Sequence, residues 1–194
     1  MVLGEENNAH GASRDVYLVF PFMDHDLSAL LSNTEVKLAP GQIKYYFKSL
    51  LEALRFLHSR NILHRDIKAS NILLDNRGSV VLADFGLARF RNVDPNLYTN
   101  RMITLWYRPP ELLYGVDSYG PEVDVWSAGC VLAEMLLKKS LFPGKNELDQ
   151  IEKIFVICGT PNESNWPGFG SLPWASALTP RFSLNSRIRE IFAP

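Results

Sequence analysis

The chain has 194 residues, of which 46% are hydrophobic, and its formal net charge at pH 7 is −1. This length and composition predict one globular domain with enough apolar side chains to bury a core. The balanced charge disfavours direct binding to nucleic acid or to a membrane surface, and no apolar run is long enough to cross a bilayer.

Short strands and longer helices alternate in the first half of the chain. Residues 16–20 are rich in β-branched and aromatic side chains and predict a strand that ends at Pro21. A short helix is expected over residues 26–31, and Pro40 can open a longer one. Helical spacing after Pro40 predicts a buried face made of Ile43, Phe47, Leu50, Leu54 and Leu57. Residues 72–82 predict a β-hairpin.

The second half is predicted to be mainly helical after a long irregular stretch over residues 84–108. Stretches of this length in compact domains are usually functional or disordered. Asp124 can cap a helix over residues 125–137, and because that helix is apolar on nearly every side we expect it in the core. An amphipathic helix follows and ends at Gly159. Its apolar face is predicted to contain Ile151, Ile154, Phe155 and Cys158.

Two short strings carry groups suited to chemistry. Residues 64–71 read His-Arg-Asp-Ile-Lys-Ala-Ser-Asn, and residues 84–86 read Asp-Phe-Gly. Together they supply two carboxylates, an ammonium group and an amide: Asp66, Asp84, Lys68 and Asn71. Phosphoryl transfer from ATP needs metal ions held against the phosphates and a carboxylate beside the attacking hydroxyl group. Either string alone could be an ordinary surface loop, but both in this order favour that chemistry.

These strings resemble the catalytic loop and the metal-binding loop of protein kinases. The resemblance implies that Asp66 receives the proton of the substrate hydroxyl and that Lys68 neutralises charge on the transferred phosphoryl group. Asn71 and Asp84 would offer oxygen ligands to Mg²⁺, and the implied cofactors are ATP and Mg²⁺. Lys68 is typical of serine/threonine kinases rather than tyrosine kinases.

Three further residues match supporting positions of the kinase family. His64 and Phe85 are expected to pack in an apolar column that positions the two loops, and a metal-ligand role for His64 is the weaker alternative. Asp124 resembles the residue that holds the backbone of the catalytic loop by hydrogen bonds.

Residues 98–111 resemble the end of the activation loop in cyclin-dependent kinases; they read Tyr-Thr-Asn-Arg-Met-Ile-Thr-Leu-Trp-Tyr-Arg-Pro-Pro-Glu. Thr99 lies where that family is phosphorylated, and Arg65 and Arg89 match two arginines that bind the phosphate. The alternative for Thr99 is a solvated loop hydroxyl. Thr104 matches the hydroxyl that links this loop to the catalytic aspartate and lysine.

The same resemblance implies a substrate preference through Ile103. It matches a residue held in a left-handed conformation, which is costly for a β-branched side chain and turns a carbonyl away from the incoming peptide. The N–H that follows the target serine would then lack a partner, whereas proline has no N–H to satisfy. Ser-Pro or Thr-Pro specificity is the expectation.

The adenine nucleotide site is mapped by alignment to the family. Phe20 matches the residue at the back of the adenine site, Pro21 and Met23 match the hinge, and Asp26 matches a ribose contact. Leu73 and Ala83 would form the wall below the base. Composition alone allows each of these residues to be ordinary core.

Several strings resemble the transcription-associated branch of cyclin-dependent kinases, including the fungal C-terminal-domain kinases: residues 23–27, 64–74, 98–101, 146–152 and 172–174. The branch implies a cyclin partner, a nuclear location, and the C-terminal repeat of RNA polymerase II as substrate. The implied fold is mainly α with short β-hairpins (α+β), that is, a kinase large lobe with the last strands of the small lobe and the hinge.

The resemblance covers only part of a kinase domain, with residues 1–20 as the end of the small lobe, 21–26 as the hinge and 27–194 as an incomplete large lobe. The sequence contains no G-x-G-x-x-G string, no matching strand lysine and no matching helix glutamate. We therefore expect this polypeptide alone to have little activity and marginal stability. Glu111 is expected to lack the arginine that pairs with it in the family.

Two interpretations of this partial match remain. One is a truncated kinase or isoform, which the intact catalytic and metal-binding side chains favour. The other is a non-catalytic kinase-like binding module, which the missing small lobe favours.

Overall fold

The computed structural model describes residues 2–3, 16–91, 102–180 and 182–193 of the chain. The helices in these ranges are α1 (Leu27–Ser32), α2 (Pro40–His58), α3 (Pro110–Leu113), α4 (Glu122–Leu137), α5 (Glu147–Cys158) and α6 (Ile188–Ile191). The strands are β1 (Val2–Leu3), β2 (Val16–Tyr17), β3 (His25–Asp26), β4 (Ile62–Leu63), β5 (Ile72–Leu74), β6 (Val80–Leu82) and β7 (Arg89–Phe90). Short 3₁₀ turns cover Ala69–Asn71, Leu105–Tyr107 and Phe169–Ser171.

The strands pair in small antiparallel groups. β1 pairs with β2, β4 pairs with β7, and β3, β5 and β6 form a three-stranded sheet in that order. The β5–β6 pair is the hairpin predicted over residues 72–82, and Asp75 Oδ1 closes its turn by accepting hydrogen bonds from the N–H groups of Arg77 (2.9 Å) and Ser79 (2.7 Å). The strand predicted over residues 16–20 is limited to β2.

Helix α2 begins at Pro40, as predicted, because proline has the backbone angle of a first helical residue and needs no hydrogen-bond partner there. Leu50, Leu54 and Leu57 on its inner face are buried. Ile43 and Phe47 are half-buried against the same core. Helix α5 also ends where predicted, at Gly159, whose φ of 88° is one that glycine adopts without strain.

Helix α4 lies in the core, since Val123, Ala128 and Val131 have no exposed surface. It begins at Glu122, three residues before the predicted start, and it follows Pro121. The prediction that Asp124 caps this helix is therefore wrong. Asp124 lies inside the first turn, and its carboxylate binds backbone groups of a distant loop.

The stretch over residues 84–108 is not wholly irregular, because it contains β7 and the turn at Leu105–Tyr107. The mainly helical fold with short antiparallel strands confirms the predicted class. The division at residues 20 and 26 into small lobe, hinge and large lobe stays a prediction. Within the described ranges, no helix combines the length and apolar character that crossing a membrane requires.

Candidate active site

The backbone at the start of the loop over residues 64–71 is hydrogen-bonded to the carboxylate of Asp124, a completely buried residue. Asp124 Oδ1 accepts a hydrogen bond from the N–H of Arg65 (2.8 Å), and Oδ2 accepts one from the N–H of His64 (2.9 Å). The ring of His58 also contacts Oδ2, at 2.8 Å. Arg65 has a φ of 66°, which is unfavourable for a residue with a Cβ, and these contacts stabilise that conformation.

Three side chains fix the carboxylate of Asp66. Thr104 Oγ1 donates to Oδ1 (2.8 Å), while Lys68 Nζ (2.7 Å) and Asn71 Nδ2 (3.0 Å) donate to Oδ2. Burial by itself would raise the pKa of Asp66, but the hydrogen bonds from Lys68, Thr104 and Asn71 and the charge of Lys68 hold that pKa below its ordinary value. The structure thus presents an ionised carboxylate in a defined orientation.

Asn71 is oriented so that its amide oxygen is the group it can offer to a cation. Its Nδ2 donates to the backbone carbonyl of Asp66 (2.8 Å) as well as to the Asp66 carboxylate. Its own backbone carbonyl accepts the N–H of Ala83 (2.9 Å), the residue before Asp84. The two loops identified in the sequence are therefore joined directly, next to both candidate metal ligands.

Asp84 has a left-handed φ of 63°, and its carboxylate is exposed while accepting a hydrogen bond from the N–H of Gly86 (3.2 Å). No three His, Cys, Asp or Glu side chains in the described part of the chain form a metal-binding cluster. Asn71 and Asp84 nevertheless fit Mg²⁺, because this ion keeps several waters and takes few protein ligands when substrate phosphates complete its shell.

His64 and Phe85 pack edge to face, with ring centroids 4.9 Å apart. The His64 ring contacts the carbonyl of Ala83 at 3.0 Å, and the residue is fully buried. This burial lowers the pKa of His64, although Asp124 and the Ala83 carbonyl oppose the shift. The histidine is therefore a neutral packed side chain that links the two loops, as the resemblance implied, whereas Phe85, its expected partner in an apolar column, is 48% exposed.

Arg65 and Arg89 both reach the backbone that follows the Asp-Phe-Gly string. Arg65 Nε donates to the carbonyl of Leu87 (2.8 Å), and its Nη1 donates to Tyr119 Oη (3.2 Å). Arg89 Nη1 donates to the carbonyl of Ala88 (2.8 Å). Thr99, the predicted phosphorylation site, lies outside the described residues.

Residues 7–184 match the family model described as Protein kinase domain. The chain belongs to this family. It is 53% identical to Cyclin-dependent kinase C-1 of Oryza sativa, over 91% of this chain and 34% of that protein. It is 51% identical to CTD kinase subunit alpha of Saccharomyces cerevisiae, over 88% of this chain and 32% of that protein. This kinase chain thus spans about a third of the length of these curated relatives.

The fold is also similar to a solved kinase. The chain matches a protein in the crystal structure of the yeast RNA Pol II CTD kinase CTDK-1 complex with a TM-score of 0.84 and 49% identity, over 88% of this chain and 57% of that one. The resemblance to the transcription-associated cyclin-dependent kinases is confirmed by these relatives.

The residues matched to the nucleotide site are only partly brought together. Pairing of β3 with β5 places Asp26 opposite Leu73, and Ala83 follows β6 in the same sheet. Asp26 Oδ1 caps α1 by accepting the N–H of Ala29 (2.8 Å), which is a structural reason for an aspartate there. Phe20, Pro21 and Met23 follow β2 outside this sheet. Phe20 is 74% exposed, Pro21 is exposed and Met23 is half-buried, so neither Phe20 nor Pro21 is enclosed.

The prediction that Ile103 adopts a left-handed conformation is wrong. The non-glycine residues with positive φ in the described ranges are Asn61, Arg65, Asp84 and Lys138. Ile103 avoids the steric cost that a β-branched side chain pays there. Its carbonyl is nevertheless engaged, because it accepts a hydrogen bond from Arg108 Nε (3.0 Å).

The expectation that Glu111 lacks its arginine partner stays a prediction, and its carboxyl group lies in a partly buried environment beside Glu122. Burial raises the pKa of Glu111, and the nearby carboxylate of Glu122 adds to that shift. Both glutamates line an open cavity of about 450 Å³ together with Trp126 and Trp166.

Several supporting residues of this kinase site were missed in the sequence. His58 contacts Asp124 from the end of α2, and Arg108 forms an ion pair with Glu147 (2.8 Å). Tyr107 Oη donates to Glu134 (2.7 Å). Of these residues, Glu134 alone gave a signal in the sequence, because it is the single charge in residues 125–137, the range over which a buried helix was predicted.

Proposed function

We propose that this chain carries the catalytic and metal-binding loops of an ATP-dependent, proline-directed serine/threonine kinase. The observation that carries the proposal is the Asp66 carboxylate, fixed by Thr104, Lys68 and Asn71 and kept ionised. A general base for a serine or threonine hydroxyl needs this orientation and this charge.

Each residue of the site then has a defined task. Asp66 orients the substrate hydroxyl and takes its proton, and Lys68 stabilises the charge that develops on the phosphoryl oxygens. Asn71 Oδ1 and the Asp84 carboxylate would hold Mg²⁺. When bound, ATP would supply the phosphoryl group, and Mg²⁺ would neutralise the negative charge of the phosphates. Thr104 ties residues 103–108, here called the substrate-side loop, to the catalytic loop over residues 64–71, so that the peptide and Asp66 keep one geometry.

Proline-directed specificity is supported by the carbonyl of Ile103. It faces the guanidinium of Arg108 and is therefore withheld from the N–H of a residue after the target serine. A non-proline substrate would leave that N–H without a partner, at a cost of about 1–3 kcal/mol. The relatives named CTD kinase, together with the similar structure described as an RNA Pol II CTD kinase complex, favour the C-terminal repeat of RNA polymerase II as the substrate.

The remaining parts of the proposal concern assembly and regulation. A cyclin is the proposed partner because the similar proteins are named cyclin-dependent kinases, and the nucleus is the proposed location because the substrate class belongs to transcription. Phosphorylation of Thr99 would add a dianion for Arg65 and Arg89 to bind. The 194 residues contain no glycine-rich phosphate loop, so we propose that they transfer phosphate slowly by themselves.

The test uses the complete kinase with its cyclin and two peptides based on the polymerase repeat, one with Ser-Pro and one with Ser-Ala at the same site. Transfer from labelled ATP should be about 10- to 100-fold more efficient, in kcat/KM, for the Ser-Pro peptide. Equal rates for both peptides would contradict the proposed specificity. Peptide binding without any transfer would contradict the enzyme and favour a binding module.

A further inference from the structure

Arg108 joins the substrate-side loop to the start of helix α5. Its Nε donates to the carbonyl of Ile103 (3.0 Å), and its Nη1 donates to Glu147 Oε1 (2.8 Å). The Arg108 side chain is 9% exposed and that of Glu147 is 38% exposed. A guanidinium has a rigid planar fork, so a contact at one nitrogen fixes the direction of the others.

A second contact fixes the segment before α5 on which Glu147 depends. Trp106 Nε1 donates to the carbonyl of Gly144 (2.9 Å), which joins the turn at Leu105–Tyr107 to the segment before α5. Asn146 caps α5 by accepting the N–H of Asp149 (3.0 Å). Glu147, the first residue of α5, therefore lies at a helix end that is joined to the loop containing Trp106 and Arg108.

We propose that Glu147 is a positioning residue for substrate specificity, and this inference rests on the proposed proline-directed kinase function. Glu147 holds the guanidinium of Arg108 in the orientation that engages the Ile103 carbonyl. Loss of the carboxylate removes one contact that orients the guanidinium, so the Ile103 carbonyl can turn more readily to accept an N–H from the substrate. Loss of Glu147 would then relax the preference for proline rather than simply slow the enzyme.

The ratio of kcat/KM for the Ser-Pro peptide to kcat/KM for the Ser-Ala peptide measures this effect in the complete kinase with its cyclin. Glu147→Ala should lower the ratio about threefold to tenfold, a range set by a charge-assisted hydrogen bond that is partly screened by solvent. Glu147→Gln keeps an acceptor without the charge and should give an intermediate ratio. Glu152→Ala removes the same charge from an exposed position of α5 and should leave the ratio unchanged.

The ratio separates specificity from general damage, because a loss of folded enzyme lowers both rates equally. A wild type that prefers Ser-Pro together with an unchanged ratio in Glu147→Ala and Glu147→Gln would overturn the role of Glu147 and leave proline direction intact. A wild-type ratio near one would overturn proline direction itself and this inference with it. If Glu147→Ala does not fold, the ratio of Glu147→Gln decides.

Discussion

Replacing Asp66 with Asn is expected to lower kcat about 10²- to 10⁴-fold, the range that a positioned general base contributes. The amide keeps an oxygen that can accept the hydrogen bond of Thr104, but its NH2 group cannot accept from Lys68 and Asn71 as Oδ2 does. Asn71 keeps its hydrogen bond to the backbone carbonyl of Asp66, so the fold of the loop should survive. The amide cannot take the proton of the substrate hydroxyl. The binding of ATP should be retained, because the candidate metal ligands Asn71 and Asp84 are unchanged.

The measurement compares kcat for peptide phosphorylation with the ATP dissociation constant from titration calorimetry, both in the complete kinase with its cyclin. Asp117→Asn is the matched control, since Asp117 is an exposed aspartate outside the site. Near-normal kcat in Asp66→Asn would remove Asp66 from its proposed role. Loss of ATP binding in parallel with activity would show that the substitution disrupts the nucleotide site instead.

Replacing Asp124 with Ala should lower the free energy of unfolding by about 3–5 kcal/mol. The change removes the carboxylate that accepts hydrogen bonds from the N–H groups of His64 and Arg65 and that contacts the ring of His58. Asp124 has no exposed surface, so water cannot readily replace the lost acceptor. Asp124→Asn keeps one acceptor oxygen and should cost less. Urea unfolding measures both, and the exposed Asp117→Ala is the control.

The activity of the Asp124 variants provides a second readout. Because Asp124 holds the backbone that precedes Asp66, kcat should fall in Asp124→Asn even where the protein is still fully folded. A destabilisation below about 1 kcal/mol in Asp124→Ala would mean that water or other groups replace the lost acceptor, and that the catalytic loop does not depend on this carboxylate.

The elements that the sequence predicted well are those with a local signal. Pro40 and the helical spacing of Leu50, Leu54 and Leu57 define α2, and Gly159 ends α5 because glycine tolerates positive φ. The 72–82 hairpin follows from a turn that its own aspartate closes. Such signals lie within a few residues of the structure they determine.

The errors arise where a distant partner competes with the local signal. Asp124 is a good helix cap by type, but its carboxylate binds N–H groups about sixty residues earlier in the chain, which is the contact that the resemblance to kinases predicted. Ile103 was expected in a left-handed conformation, yet the side chain of Arg108 engages its carbonyl without that strain. The ion pair between Arg108 and Glu147 spans 39 positions and leaves no periodic pattern in the sequence.

The proposed function requires that Asn71 and Asp84 hold a metal–triphosphate centre within reach of Asp66. The most direct test is anomalous diffraction from Mn²⁺ in crystals of the complete kinase with a non-hydrolysable ATP analogue. We expect a manganese peak within about 2.5 Å of Asn71 Oδ1 and an Asp84 carboxylate oxygen, with the γ-phosphate facing Asp66. A bound nucleotide whose metal is held by other groups, with the Asn71 and Asp84 side chains facing away from it, would contradict the proposed metal site.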